Sequence, residues 1–155
     1  ETGRLKMSEK YADNLPLLNA DPKILRMVLE NLLSNAVKYT PEGGTVSVNL
    51  HLAKRGELIK TQKVNEDSIV IEVSDTGYGI PMEQQDKIFS KLFRADNIRD
   101  KDTNGSGLGL YIVKSVVVHS GGQIWFDSEK DKGTTFYVML PLFGMRKKEG
   151  SRALI

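Results

Sequence analysis

A helical pattern of apolar residues in the first third of the chain constrains its fold most strongly. Asp21 and Pro22 indicate an N-cap followed by a first-turn proline, and the predicted helix runs to about Tyr39, before the helix-ending residues 40–44. Between these limits, apolar side chains recur at helical spacing and predict one buried face. They are Ile24, Leu25, Val28, Leu29, Leu32, Leu33, Ala36 and Val37.

A polar stripe follows the same predicted helix. Asn31, Asn35 and Lys38 are spaced i, i+4 and i+7, so they share one side of the helix. Asparagine is a mediocre helix former and is costly to bury without hydrogen-bonding partners. The stripe therefore needs something polar to face, and a bound ligand and solvent are both open explanations.

The rest of the chain predicts a small sheet beside helices. Val46, Val48, Leu50 and Leu52 alternate with other residues, which indicates a half-buried strand. This order of helices and hairpin-connected strands favours a two-layer α+β sandwich, with a mixed, mostly antiparallel sheet covered on one face by helices. The other predicted elements are strands at 68–75, 123–127 and 134–140, helices at 81–92 and 108–119, an exposed hairpin at 54–67 and a mobile loop at 95–106.

Composition narrows the functional classes. The 155 residues suit one domain, predicted at residues 20–143, between an N-terminal extension or linker end at 1–19 and a basic, disordered tail at 144–155. The absence of cysteine excludes thiolate chemistry and fits a reducing compartment such as the cytoplasm. A net charge of +2 with mixed signs argues against nucleic-acid binding, and no apolar run approaches the roughly 20 residues of a membrane span.

The segment from Asp75 to Gly79 places an acidic residue at the end of an apolar strand, followed by two glycines. Glycines allow a tight turn or a close approach of the backbone to a ligand. A strand-ending turn in which Asp75 caps the next helix also accounts for the pattern. The Asp-Thr-Gly triplet of aspartic proteases would need a second such Asp or a symmetric dimer, and nothing else here suggests a protease cleft.

The segment from Gly105 to Leu110 opens the second long helix. Its glycines would let free backbone N–H groups meet an anion at the positive helix end, so a phosphate site and a flexible helix start are both open. A dinucleotide-binding motif fails, because the spacing is G-x-G-x-G and residues 100–104 are no strand. His51 and His119 have no partner at metal-ligand spacing, so we expect ordinary structural roles for both.

Taken in order, these segments resemble the ATP-binding catalytic domain of sensor histidine kinases, within the Bergerat-fold ATPase group. NLLSNAVKYT is similar to the family's asparagine box, DTGYGI to its first glycine box, KIFSKLFR to its phenylalanine box, NGSGLGLYIVK to its second glycine box and KGTTFYVMLP to its closing strand. Each motif alone is weak, but five in this order over residues 20–142 argue against a chance resemblance. The resemblance implies the Bergerat ATP-binding fold, with ATP and Mg²⁺ as ligands.

The resemblance implies an adenine pocket. Tyr39 would lie against the adenine, and Asp75 would accept a hydrogen bond from the adenine amino group. Such a carboxylate prefers adenine to guanine, which presents a carbonyl oxygen at that position. The residues that would shape or support the pocket are Gly77, Gly79, Ile80 and Thr134.

The resemblance also implies a phosphate and Mg²⁺ site. Asn35 would help to hold Mg²⁺, since an amide adds no negative charge near a triphosphate. Phosphoryl transfer depends mostly on positioning and charge neutralisation, and Lys38, Arg94 and Asn31 are the positions predicted to serve catalysis. The further implied phosphate-site residues are Arg99, Gly105, Gly107, Leu108 and Gly109, with residues 95–106 as a lid.

Two departures from the family pattern bear on the activity. Hydrolysing relatives and serine kinases of the group resemble each other in placing a Glu four residues before the metal Asn, where it activates water or a hydroxyl. This chain has Asn31 at that position. Glu30 is one residue away, about 100° round the helix. The acceptor histidine of a histidine kinase precedes an acidic residue, whereas His51 precedes Leu52 and His119 precedes Ser120.

The expected molecule is therefore the catalytic part of a larger protein-histidine kinase. Its partner would be a histidine-containing dimerisation domain of the same parent protein, with a response regulator as an indirect partner. Contact of this part with nucleic acid or membrane is not expected. The alternatives are a nucleotide-sensing or protein-interaction module of the same fold without transfer activity, and a same-fold ATPase or serine kinase.

Overall fold

The computed structural model describes residues 6–11, 22–90 and 109–142. The strands in these ranges are β1 (Lys6–Tyr11), β2 (Thr45–Ala53), β3 (Leu58–Ile59), β4 (Gln62–Lys63), β5 (Ser68–Asp75), β6 (Gln123–Glu129) and β7 (Gly133–Pro141). The helices are α1 (Pro22–Lys38), a 3-10 helix (Met82–Lys87) and α2 (Gly109–His119). The predicted loop at 95–106 and tail at 144–155 lie outside the described residues.

Five strands form one mixed sheet in the order β1-β2-β5-β7-β6. β1 runs parallel to β2, and all other neighbours in the sheet are antiparallel. The predicted mixed, mostly antiparallel sheet is therefore confirmed. At the end of the central strand β5, Asp75 lies between its partners Val46 on β2 and Thr134 on β7.

Both α-helices cover one face of the sheet. The buried stripe of α1 consists of Val28, Leu32 and Ala36, which recur every four residues as predicted, and α2 contributes Val113 and Val117. Each fully buried Val or Leu side chain contributes roughly 1.5–3 kcal/mol. The sheet residues in the same core are Val46, Val48, Ile69, Ile71, Val73, Ile124, Phe136, Val138 and Leu140.

The opposite face of the sheet is partly covered by the hairpin that β3 and β4 form. Its Val64 is fully buried together with Ala53, Val70 and Met139, and Ile59 and Trp125 pack against this back-face cluster. The predicted hairpin at 54–67 is confirmed. The cluster gives this long excursion a physical role, because the hairpin shields apolar side chains that would otherwise face solvent.

Two elements differ from the sequence prediction. β1 was not predicted, because Lys6, Glu9 and Lys10 leave it no apolar face, which is typical of an edge strand. The helix expected at 81–92 is a 3-10 helix over Met82–Lys87 within the described residues. None of its residues is buried, so no apolar face supports an α-helix over Met82–Lys87.

The end of α2 agrees with the prediction. Gly121 has a φ of +88°, and its N–H donates to the Val118 carbonyl at 3.1 Å. The N–H of Gly122 donates to the Val117 carbonyl at 2.9 Å. These two bonds form a Schellman motif, which needs a glycine at the left-handed position. Among the described residues, no helix is long and apolar enough to cross a membrane.

Candidate functional site

The carboxyl group of Asp75 lies at the centre of the candidate site. Its Oδ1 accepts hydrogen bonds from the backbone N–H of Gly77, at 2.8 Å, and of Thr134, at 3.3 Å. These bonds tie the loop after β5 to the start of β7. Because both reach the same oxygen, Oδ2 is left for another donor.

Burial raises the pKa of the Asp75 carboxyl from 3.8 to about 6, although the two backbone hydrogen bonds lower it. The charged form is thus disfavoured in the free protein but is still the main form at neutral pH. A half-buried carboxyl with a raised pKa, and with one oxygen that neither of these two backbone bonds uses, is a candidate ligand-binding group. A donor that approached Oδ2 would favour the charged form.

The C-terminal end of α1 lies directly against the loop that follows Asp75. The backbone carbonyl of Tyr39 accepts a hydrogen bond from the N–H of Tyr78 at 3.1 Å. A Cβ on Gly77 would lie only 2.2 Å from the same carbonyl oxygen, so this approach requires glycine. Tyr39 from the first motif is therefore brought together with Asp75 and Gly77 from the second.

The other side of this loop packs on the turn between β6 and β7. Gly79 has a φ of +70°, and a Cβ there would lie 2.0 Å from the carbonyl oxygen of Glu129. The N–H of Asp131 donates to the Tyr78 carbonyl at 2.6 Å. The loop is thus held between α1 and the β6–β7 turn. The side chain of Ile80 was predicted in the pocket. It lies in the core between the two α-helices and the sheet, which we call the helix-side core, and would support the site by packing there.

The polar stripe of α1 leads from α2 towards this loop. The Nδ2 of Asn31 donates to the Met27 carbonyl one turn earlier, at 2.8 Å. A Cβ on Gly109, the first residue of α2, would lie 3.1 Å from Asn31 Oδ1. Asn31 therefore faces the start of α2, and Gly109 leaves space for its side chain. Asn35 is half-buried and Lys38 is exposed.

Asn35 is the predicted Mg²⁺ ligand, and an amide oxygen is a suitable hard donor for this ion. Within residues 6–11, 22–90 and 109–142, no group of three or more His, Cys, Asp or Glu side chains could hold a metal. Beside a nucleotide, Mg²⁺ usually has phosphate oxygens and water among its ligands.

Part of the predicted phosphate site cannot be placed. Arg94, Arg99, Gly105, Gly107 and Leu108 lie outside the described residues. Their roles stay predictions that follow from the resemblance. Of the second glycine box, the structure places Gly109 next to Asn31.

Three residues at the site were not found by sequence reasoning. Gly133 has a φ of +125°, and a Cβ there would lie 2.1 Å from the Asp75 carbonyl oxygen. Ser128 and Gln85 hydrogen-bond to the backbone of Ile80. The glycine in the turn before Thr134 was a usable signal for Gly133. Nothing in the sequence pairs Gln85 with Ser128, because they are 43 residues apart.

Known proteins resemble this chain over most of its length. A family model described as "Histidine kinase-, DNA gyrase B-, and HSP90-like ATPase" matches residues 20–144. The Adaptive-response sensory kinase SasA of Gloeothece citriformis (strain PCC 7424) is 41% identical over 140 residues, which are 90% of this chain and 32% of that protein. The Sensor histidine kinase WalK of Bacillus subtilis (strain 168) is 38% identical over 136 residues, 85% of this chain and 21% of WalK. The chain thus spans a third or less of the length of these relatives.

Solved structures show the same fold. The mycobacterial sensor histidine kinase MprB superposes with a TM-score of 0.72 at 29% identity, covering 94% of this chain and 86% of that one. Full-length ShkA in complex with AMPPNP superposes with a TM-score of 0.70 at 26% identity, covering 93% of this chain and 26% of ShkA. The two-layer α+β fold is therefore shared with histidine kinase structures.

Proposed function

Because this chain belongs to the histidine kinase-, DNA gyrase B- and HSP90-like ATPase family, we propose that it is the ATP-binding catalytic domain of a two-component sensor histidine kinase. It would bind ATP with Mg²⁺ and transfer the γ-phosphoryl group to a histidine on a dimerisation domain of the parent protein, for eventual delivery to a response regulator. The related kinases SasA and WalK support this proposal. The proposal implies a cytoplasmic location, where ATP is available.

The arrangement of Asp75 is the observation that carries the proposal. Its Oδ1 is held by two backbone N–H groups, so Oδ2 would accept the amino group of adenine. Guanine and hypoxanthine present a carbonyl oxygen there and would be repelled. The buried Gly77 and Gly79 keep the loop backbone close to its neighbours, which favours a preformed pocket for a flat base.

The phosphates would extend along the polar stripe of α1. Lys38 would donate to them from the end of this helix, and the N-terminal end of α2 at Gly109 would offer backbone N–H groups. Mg²⁺ bound through Asn35 would neutralise charge on the phosphate oxygens. The roles of Arg94 and of Arg99 on the terminal phosphate belong to this proposal on the strength of the resemblance alone.

The environment of Asn31 favours a kinase over a same-fold ATPase. In hydrolysing relatives, the resemblance places a glutamate at this position to activate water. Here the Asn31 amide is bonded within α1 and faces Gly109, and Glu30 is exposed on another side of the helix. Asn31 would then help to hold the helices that border the phosphates, rather than take a proton.

Isothermal titration with ATP–Mg²⁺ tests nucleotide binding. Asp75→Asn replaces a charged acceptor with a neutral one and should weaken binding by about 10–150-fold, the equivalent of about 1.5–3 kcal/mol. Asp86→Asn, an exposed site on the 3-10 helix, is the matched control and should bind as the wild type does. An affinity that Asp75→Asn leaves unchanged would refute the adenine role of Asp75.

Transfer is tested by incubation with labelled ATP and the dimerisation domain of the parent protein. A kinase labels a histidine on that domain. Intact binding without label would favour a nucleotide-sensing or protein-interaction module, whereas rapid phosphate release or serine labelling by the chain alone would favour an ATPase or serine kinase.

A further inference from the structure

The hydroxyl of Ser128, on β6, joins three segments around the loop that follows Asp75. Its Oγ lies 2.8 Å from the Ile80 nitrogen, 3.1 Å from the Gly133 carbonyl oxygen and 2.7 Å from Thr134 Oγ1. A hydroxyl donates one hydrogen and accepts two. Because Ile80 N–H can only donate and the Gly133 carbonyl can only accept, Thr134 must donate to Ser128. The hydrogen-bonding capacity of Ser128 is then fully used.

The side chain of Gln85, on the 3-10 helix, bonds to two of the same residues, Ile80 and Ser128. Its Nε2 donates to the Ile80 carbonyl and to the Ser128 carbonyl, each at 2.9 Å. Both partners are acceptors, so only the NH₂ group of the amide can face them, and both of its hydrogens are used. The 3-10 helix itself has no buried residue, and these bonds join it directly to the loop and to β6.

The same network reaches the Asp75 carboxyl. Thr134 donates its backbone N–H to Asp75 Oδ1 at 3.3 Å, while its hydroxyl binds Ser128. One end of the loop is thus fixed by Gly77 on Asp75, and the other by Ile80 on Ser128. A displacement of Ser128 would change both the course of the loop and the position of the carboxyl group.

We propose that Gln85 and Ser128 are positioning residues for adenine recognition. They would set the orientation of Asp75 Oδ2 and of the loop without touching the nucleotide themselves. This inference rests on the proposed function, because it assumes that Asp75 accepts the adenine amino group. It adds two residues from elements that the glycine and asparagine motifs do not include.

The test compares the affinities of ATP–Mg²⁺ and ITP–Mg²⁺ by calorimetry. The bases differ at the position facing Asp75, where adenine has an amino group and hypoxanthine a carbonyl oxygen, so the ratio of the two dissociation constants reports that contact. Gln85→Met and Ser128→Ala should lower the ITP-to-ATP ratio about three- to tenfold, because a misplaced acceptor loses part of a charge-assisted hydrogen bond. Ser128→Thr retains the hydroxyl and should restore the wild-type ratio.

Gln62→Met is the matched control, because Gln62 lies on β4, in the separate two-stranded sheet, and should keep the wild-type ratio. A loss of stability alone would lower both affinities together, whereas the proposed role changes their ratio. In the absence of nucleotide, the Ile80 amide should also exchange faster with solvent in Ser128→Ala.

An unchanged ratio in folded Gln85→Met overturns the assignment and leaves ATP binding by the wild type intact. If Ser128→Ala does not fold, Gln85→Met decides alone. A wild-type chain that binds no ATP overturns the proposed function and this assignment together, so the two failures are distinguishable.

Discussion

Asp75 is charged at neutral pH at the expense of folding stability. Its pKa in the folded protein is about 6, above the unfolded value of 3.8, so the stabilisation from the protonated form is complete below pH 3.8 and is lost as the pH rises through 6. Asp75→Asn keeps an oxygen that can accept from both backbone N–H groups. Because an amide does not ionise, the variant does not lose stability as the pH rises. From about pH 4 to 8, its stability should therefore rise by about 2.5 kcal/mol relative to the wild type. Urea denaturation across this range measures the difference, and a difference that is flat with pH would contradict the burial of this carboxyl.

Glycine at position 79 is required by both its backbone and its surroundings. Gly79→Ala would place a Cβ 2.0 Å from the Glu129 carbonyl at a φ of +70°, and we expect a loss of more than about 3 kcal/mol in unfolding free energy. Gly43 is the matched control, because it has a φ of +91° and nothing within 4 Å of an added Cβ. Gly43→Ala should cost only about 1 kcal/mol in the same denaturation experiment, and equal losses would show that space around Gly79 is unimportant.

Residue contacts were predictable where a local pattern required them. Asp75 at a strand end and the glycines after it were visible in the sequence because each glycine marks a close approach of the backbone. The bonds from Gln85 and Ser128 were not visible, since a common polar side chain has no pattern that identifies a partner 43 residues away.

Among the secondary-structure elements, the β3–β4 hairpin is stabilised by what it buries. Val64→Ala removes two methyl groups from a fully buried site and should cost about 2 kcal/mol in unfolding free energy. Leu58→Ala on the same hairpin is the control, because its side chain is 67% exposed, and it should change stability by less than about 0.5 kcal/mol. Thermal denaturation distinguishes the two, and similar losses would argue that the back-face cluster is not a packed core.

Elements with strong periodicity were predicted well, and those without it were missed. Apolar residues recur at a regular spacing in α1, α2, β2 and β7, because each of these elements contributes one face to the core between the helices and the sheet. β1 has mostly charged and polar residues, so its place beside β2 depends on backbone pairing that no side-chain pattern records. The 3-10 helix likewise depends on tertiary hydrogen bonds from Gln85.

At the scale of the whole molecule, the candidate site and the back-face cluster around Val64 lie towards opposite ends of the central strand β5. Asp75 ends this strand, whereas Ser68 begins it next to Ala53 and the back-face cluster. Stability and nucleotide binding should therefore respond independently to changes at the two ends.

Thermal unfolding with increasing ATP–Mg²⁺ measures this independence. At a ligand concentration 100 times the dissociation constant, binding should stabilise the wild type by about 2.7 kcal/mol. Val64→Ala should lower the starting stability but keep the same increment, whereas Asp75→Asn should lose about half of it or more at the same ATP concentration. A reduced increment in Val64→Ala would show that the hairpin is coupled to the site.

The raised pKa of the Asp75 carboxyl also makes protons competitors of the nucleotide. If adenine binds only the carboxylate, each complex formed in acid solution must release a proton. The apparent affinity for ATP would then fall about tenfold for each unit of pH below 6, where the empty site is mostly protonated. Occupancy of the site would thus depend on the acidity of its surroundings as well as on the supply of ATP.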